Sequence, residues 1–229
     1  MDKFLKPLSS IPLFNGLNHE QLNQLGRIAH EKKFHKNQII FHEGDHGNGL
    51  YLIIEGAVKV FKLSNDGKEH ILFLFYSGQI FGEVPIFAGE HYSANASAIA
   101  ATHTLYIHRS GFLDLIEKSP GLTMRMLADL SNKLCLLTAQ IESLTLKEVP
   151  ARLADYLLFV SQKQGWNTHV DLRISKGHLA SMLGSLPETL SRAFAKLTAQ
   201  GLIRVEGSRI ILLDAERIRI LSENGKKLY

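Results

Sequence analysis

The sequence predicts an α+β chain in three parts: an N-terminal β-barrel of the jelly-roll type, a long helix, and a C-terminal winged helix-turn-helix. Glycines recur 11 or 12 residues apart between short β-rich runs, at Gly44, Gly56, Gly67 and Gly78, as the turns of an all-β barrel or sandwich do. Apolar residues then repeat at spacings of 3, 4, 3, 4 and 3 from Leu127 to Leu144, the a/d rhythm of a coiled coil. Two helical patterns joined by a short Gly-containing turn follow, and then a hairpin pattern. The expected boundaries are 1–120 for a sensing barrel with its N-terminal helix, 121–146 for a dimerisation helix, and 147–229 for the winged part.

With 229 residues, 45% of them hydrophobic, the chain is long enough to bury two cores. Residues 1–144 carry 13 Lys/Arg against 14 Asp/Glu, and residues 145–229 carry 13 against 8. The basic excess therefore sits in the last part, where it points to a polyanion. Cys135 is the single cysteine, which excludes a disulfide framework, a Cys-ligated zinc site and an iron–sulfur cluster built from one chain. Met1-Asp2-Lys3-Phe4-Leu5-Lys6 lacks the apolar stretch of a signal peptide, and no run approaches a membrane span. The expected location is the cytoplasm, with no membrane partner.

Leu17, Leu22, Leu25 and Ile28 predict a helix over 17–30. Strands are expected at 38–41, 50–54, 57–63, 70–75 and 104–107. Asn65-Asp66-Gly67 is a hairpin turn, because Asp-Gly readily takes positive φ. In the long helix Leu127, Leu130, Leu134, Leu137, Ile141 and Leu144 form a seam for a second copy of the chain; the alternative is an ordinary amphipathic helix laid on the barrel. Met124 and Leu136 lie off that seam and are expected to touch the barrel.

Pro150 sits in the first turn of a further helix with Leu153, Tyr156, Leu157 and Val160 on its apolar face. After a strand at 170–174, Ser175 N-caps a helix ending near Leu183-Gly184, and Ser185-Leu186-Pro187-Glu188 turns into a second helix that stops at Gly201. A hairpin over 202–205 and 209–213 completes the pattern. In the second helix Leu190, Phe194 and Leu197 recur at i, i+4, i+7 and face inward. Glu188, Ser191 and Arg192 share another face near the N-terminus, where a major groove receives side chains. Arg192 can donate twice to guanine and Glu188 can accept from cytosine. Ser175, Lys176, Thr189, Lys196 and Arg209 are the candidates for phosphate contacts. The plainer alternative is a surface ion pair between Glu188 and Arg192, four residues apart.

Among the 11 histidines, His42 and His46 flank a turn-like Glu43-Gly44-Asp45, and His178 on the first motif helix faces phosphate or solvent. The His-x-His spacing of metal-dependent cupin enzymes is missing, as is a nucleophile with its base. An enzyme is therefore not expected.

The stretch from Ile174-Ser175-Lys176 through Pro187-Glu188-Thr189-Leu190-Ser191-Arg192 to Gly201-Leu202-Ile203 resembles the DNA-binding domain of the cyclic-AMP receptor protein and FNR (Crp/Fnr) family. Phe41-His42-Glu43-Gly44-Asp45, the run from Leu50 to Gly56, and Gly78-Gln79-Ile80-Phe81-Gly82-Glu83 resemble the family's cyclic-nucleotide-binding-type barrel. This resemblance implies a homodimeric transcription regulator whose partners are palindromic double-stranded DNA with TTGA-type half-sites, RNA polymerase, and a small-molecule or gas effector. It places the effector pocket at Gly82, Glu83, Tyr92, Ser93, Ala94 and Thr138. In cyclic-AMP binders an arginine stands where Tyr92 stands here, and a hydroxyl residue where Leu137 stands. A phenol cannot replace a guanidinium fork on a buried anion, so cyclic AMP is not the expected ligand, although a cyclic-nucleotide-responsive regulator is the alternative. The Glu-Thr-Leu-Ser-Arg helix and the segment before Tyr92 resemble the DNR and HcpR branches, which implies haem as a sensor of nitric oxide.

Overall fold

The computed structural model describes residues 8–9, 11–89, 91–165 and 168–224; the Met1 to Lys6 stretch lies outside them. The chain forms two compact units, Met1–Leu134 and Cys135–Tyr229.

The first unit opens with a 3-10 turn, Pro12–Phe14, and helix α1, His19–Ile28. Asn18 caps α1 through a capping box with Gln21, and Leu17 and Leu22, placed to staple the helix entry, both pack on the core below. The strands are β1 (Ala29–Phe34), β2 (Ile39–Phe41), β3 (Gly49–Glu55), β4 (Ala57–Leu63), β5 (Glu69–Tyr76), β6 (Ile80–Phe81), β7 (Asn95–Ala98) and β8 (Thr102–His108). Helix α2 (Val84–Phe87) lies between β6 and β7, and α3 (Arg109–Glu117) follows β8. The strands form two antiparallel four-stranded sheets, ordered β1-β8-β3-β6 and β2-β7-β4-β5. The expected jelly roll is thus a pair of sheets rather than one closed barrel. All four regularly spaced glycines take positive φ, +84°, +98°, +79° and +85° at Gly44, Gly56, Gly67 and Gly78.

Strand β3 shows how two cores are served by one run of residues. Successive side chains point to opposite faces: Leu50 and Leu52 join Phe14, Leu25, Phe112 and Leu115 in a core beneath the helices, while Tyr51 and Ile53 join Phe41, Phe75 and Phe81 in another. A strand buried on both sides reads as continuous apolar sequence.

Three expectations need correction. The 17–30 helix ends at Ile28, and Ala29–Phe34 is strand β1; its charged Glu31, Lys32 and Lys33 suit the sheet edge it occupies beside β8. Strand β7, Asn-Ala-Ser-Ala, was not expected because its small residues have weak β-propensity, yet it is wholly buried between β2 and β4. In helix α4 (Pro120–Leu146), 27 residues long, the flank buried in the first unit is Leu122 and Met126, anchored by a 2.9 Å hydrogen bond from Arg125 Nε to the Leu13 carbonyl. Met124 and Leu136, expected on that flank, are 65% and 49% exposed, because the buried stripe runs i, i+4 from Leu122 and is rotated away from them.

The second unit contains the end of α4, then α5 (Val149–Lys163), β9 (His169–Asp171), α6 (Lys176–Met182), α7 (Pro187–Ala199), β10 (Ile203–Glu206), β11 (Arg209–Leu212) and α8 (Ala215–Asn224). The wing hairpin gains a third strand, in the order β10-β11-β9, and β9 is shorter than the expected 170–174. Helix α7 ends where Gly201 adopts φ +68°, a left-handed stop that glycine makes without strain. Helix α8 was missed. Its sequence signal is Asp214, which accepts a hydrogen bond from the Arg217 backbone N–H at 2.9 Å, with Ile218 and Leu221 buried three apart.

Candidate functional site

In the second unit, Ser175 N-caps α6 by accepting the His178 N–H at 3.1 Å. Leu179 and Ala180 of α6 and Leu190, Ala193, Phe194 and Leu197 of α7 are buried, so the apolar face inferred for α7 is its inner face. Glu188, Ser191, Arg192 and Lys196 are exposed and Thr189 is half-buried. Among the described residues no ion pair joins Glu188 to Arg192, which leaves both side chains available at the helix N-terminal end. Lys176 lies 5.2 Å over the Phe194 ring, fixing its stem beside the same surface. Arg209, on the wing, is held differently: its guanidinium forks onto Asp171 at 2.9 and 3.2 Å. The hydrogen bonds from Arg209 hold the Asp171 carboxyl below its ordinary range. A phosphate at Arg209 therefore has to share or displace a carboxylate.

In the first unit the residues proposed to line the pocket separate. Glu83, Tyr92 and Ala94 are buried, Gly82 is half-buried and Ser93 is exposed; Thr138, also exposed, belongs to the second unit. Tyr92 stacks on Phe41 with ring centroids 3.7 Å apart and planes 7° off parallel, and Tyr51 stacks on Phe81 at 5.1 Å and 15°. A hydrogen bond links the Tyr51 and Tyr92 hydroxyls, and burial pushes the Tyr51 phenol up to about 12 and raises that of Tyr92 as well. Both phenols stay neutral at physiological pH. Gly82, at φ +75°, has room for no side chain without crowding, since a Cβ would stand 3.2 Å from Phe41 and 3.3 Å from Tyr92.

Sequence reasoning missed the cation beside this cluster. Lys133, on α4, donates to Glu83 Oε1 at 2.7 Å and to the Ile80 carbonyl at 3.4 Å, lies 5.1 Å over the Phe75 ring, and pairs with Asp129 at 3.0 Å. Its position, between the seam residues Leu130 and Leu134, gave no signal of burial. The rings between the sheets include Phe41, Tyr51, Phe73, Phe75, Phe81 and Tyr92; the Tyr106 ring lies 4.9 Å from Tyr51, and the His108 ring 5.0 Å from Tyr106.

The fold joins an N-terminal cyclic-nucleotide-binding-type β-domain to a winged helix-turn-helix, the architecture of a DNA-binding transcription regulator. The model of the cyclic nucleotide-binding domain matches residues 31–119, and that of the Crp-like helix-turn-helix domain matches residues 151–221. The chain is 30% identical over 194 residues to the cyclic AMP receptor protein of Thermus thermophilus, covering 85% of this chain and 88% of that one. It is 27% identical over 215 residues to the CRP-like cAMP-activated global transcriptional regulator of Mycobacterium tuberculosis, covering 92% and 96%. Among solved structures, FixK2 from Bradyrhizobium japonicum superposes with a TM-score of 0.74 at 25% identity, covering 85% of this chain and 97% of that one. The chain belongs to the Crp/Fnr family of transcription regulators. No helix among its described residues is long and apolar enough to cross a membrane.

Proposed function

We propose that the chain acts as a homodimer, paired along α4, that reads palindromic DNA with TTGA-type half-sites through Glu188, Ser191 and Arg192, in concert with RNA polymerase. The observation that carries this reading is the exposed Glu188/Arg192 face at the N-terminal end of α7, with no ion pair between the two among the described residues. Ser175, Lys176, Thr189, Lys196 and Arg209 would contact phosphates and set the register. Leu127, Leu134 and Ile141 are 53%, 65% and 64% exposed, with Leu130, Leu137 and Leu144 half-buried. Large apolar side chains so spaced on one helix face support a second copy as their cover. Leu134→Lys places two like charges in that seam, and sedimentation equilibrium is expected to find a monomer with palindrome affinity reduced at least tenfold. A dimer of unchanged strength would move the interface elsewhere.

The domain boundaries at residues 120 and 146 belong to the same reading, as does a small effector sensed by the first unit. Tyr92 occupies the place of the family's phosphate-binding arginine, and Lys133 is already paired with Glu83 and Asp129, so neither position offers a free cation to an anionic cyclic phosphate. The effector is accordingly a small molecule or gas other than cyclic AMP; nitric oxide is the one offered by the DNR/HcpR likeness. Isothermal titration with cyclic AMP is expected to give no saturable heat. A saturable isotherm would restore the cyclic-nucleotide-responsive alternative.

A further inference from the structure

Within the second unit, the joint where α4 meets α5 holds a polar cluster away from the exposed face of α7. Lys147, just past the last turn of α4, donates to both oxygens of Asp155 on α5, at 2.7 and 3.0 Å. Ser143 of α4 donates to the same carboxylate at 3.3 Å, and Ser222 of α8 donates to it from the other side. One carboxylate thus fastens three helices. Three residues earlier, Arg152 Nε donates to the Lys147 carbonyl at 3.1 Å and its Nη1 to the Leu183 carbonyl at 2.6 Å. Leu183 is the C-cap of α6, where carbonyls without a helical partner and the negative end of the helix dipole favour a cation. Gln140 of α4 adds a 3.5 Å hydrogen bond to the neighbouring Met182 carbonyl.

These partners are directional and mostly buried: the Lys147 and Asp155 side chains are 19% and 26% exposed. A charged network satisfied on several sides fixes one arrangement of the elements it joins, since each displaced member leaves others unpaired.

We infer that Asp155 and Arg152 are positioning residues, forming an elbow that sets the angle between the end of α4 and the helix-turn-helix. That angle determines the half-site spacing a pair of chains accepts. The inference rests on the reading that the chain pairs along α4.

The test uses the full-length chain, a duplex carrying one half-site, and palindromes whose half-sites are moved together or apart by single base pairs. Asp155→Ala removes every partner of the carboxylate; Asp155→Asn conserves volume and the serine hydrogen bonds while removing the charge. For both variants, half-site affinity is expected to stay within about twofold of wild type, because no base-reading residue is touched. Affinity for the best-spaced palindrome should fall at least tenfold for Asp155→Ala, less for Asp155→Asn, and the preference among spacings should flatten. An unchanged spacing preference would overturn the elbow, and so would a loss on the half-site duplex equal to that on the palindrome, the signature of simple unfolding. If wild type itself bound half-site and palindrome equally, the dimer reading would fail and the elbow with it.

Discussion

Arg192→Ala is expected to lower operator affinity by roughly 5- to 150-fold for each half-site, the equivalent of about 1–3 kcal/mol for a bidentate arginine–guanine pair. In a symmetric dimer the loss enters twice, so about 2–6 kcal/mol separates variant from wild type on a full palindrome. The effect should be selective. Arg192 is exposed at the first turns of α7 with no ion pair to Glu188 among the described residues, so its removal disturbs neither the buried Leu190/Phe194/Leu197 face nor a surface salt bridge. Affinity for scrambled duplex should change little, and discrimination at the guanine position should disappear. Lys196→Ala provides the contrast: removing a phosphate-binding cation from each protomer weakens all sequences alike and lowers the salt slope by about two. Fluorescence anisotropy on matched duplexes separates the two patterns, and equal losses on operator and scrambled DNA for Arg192→Ala would remove it from base reading.

Lys133→Met is expected to cost the first unit about 3–5 kcal/mol, because it strands Glu83 as a buried charge without its partner. The Glu83 side chain is 9% exposed and the Lys133 side chain 15%, too little water to rehydrate a carboxylate left behind. At a few degrees per kcal/mol, the melting transition should drop by roughly 10–15 °C. The double variant Lys133→Met/Glu83→Leu should recover most of that loss, since a pair of apolar groups of similar volume often matches a buried ion pair. Asp129 also loses Lys133, and because its Oδ2 facing that lysine is buried, it adds to the loss. Calorimetry of the two variants checks the account; a single variant as stable as wild type would mean that Glu83 does not depend on Lys133 for its stability.

The parts of this molecule that were legible in its sequence are those governed by local chemistry. Helix α7 could be placed because Pro187 opens it, Gly201 closes it and its apolar residues keep a strict i, i+4, i+7 spacing, leaving Glu188, Ser191 and Arg192 on the opposite face. The wing was legible from Gly207 between two β-branched runs, and the barrel turns from glycines at regular intervals. Strand β7 was not, because Asn95, Ala96, Ser97 and Ala98 hold their place by fitting between β2 and β4, a tertiary cause with no local signature. Lys133 was missed for a similar reason: a lysine in a leucine-rich helix carries no sign of burial until Glu83, 50 residues earlier, is seen beside it. The joint of Arg152, Asp155 and Ser222 spans about 70 residues of sequence and could only be found in three dimensions.

The most direct measurement is an anisotropy titration of the wild-type chain against a TTGA-type palindrome and a scrambled duplex of equal length, at physiological salt, with stoichiometry read at saturating concentration. Two chains per palindrome are expected, with affinity at least about a thousandfold above the scrambled duplex and half-sites centred about one helical turn apart. One chain per duplex, or equal affinity for both sequences, would contradict a paired, base-reading regulator.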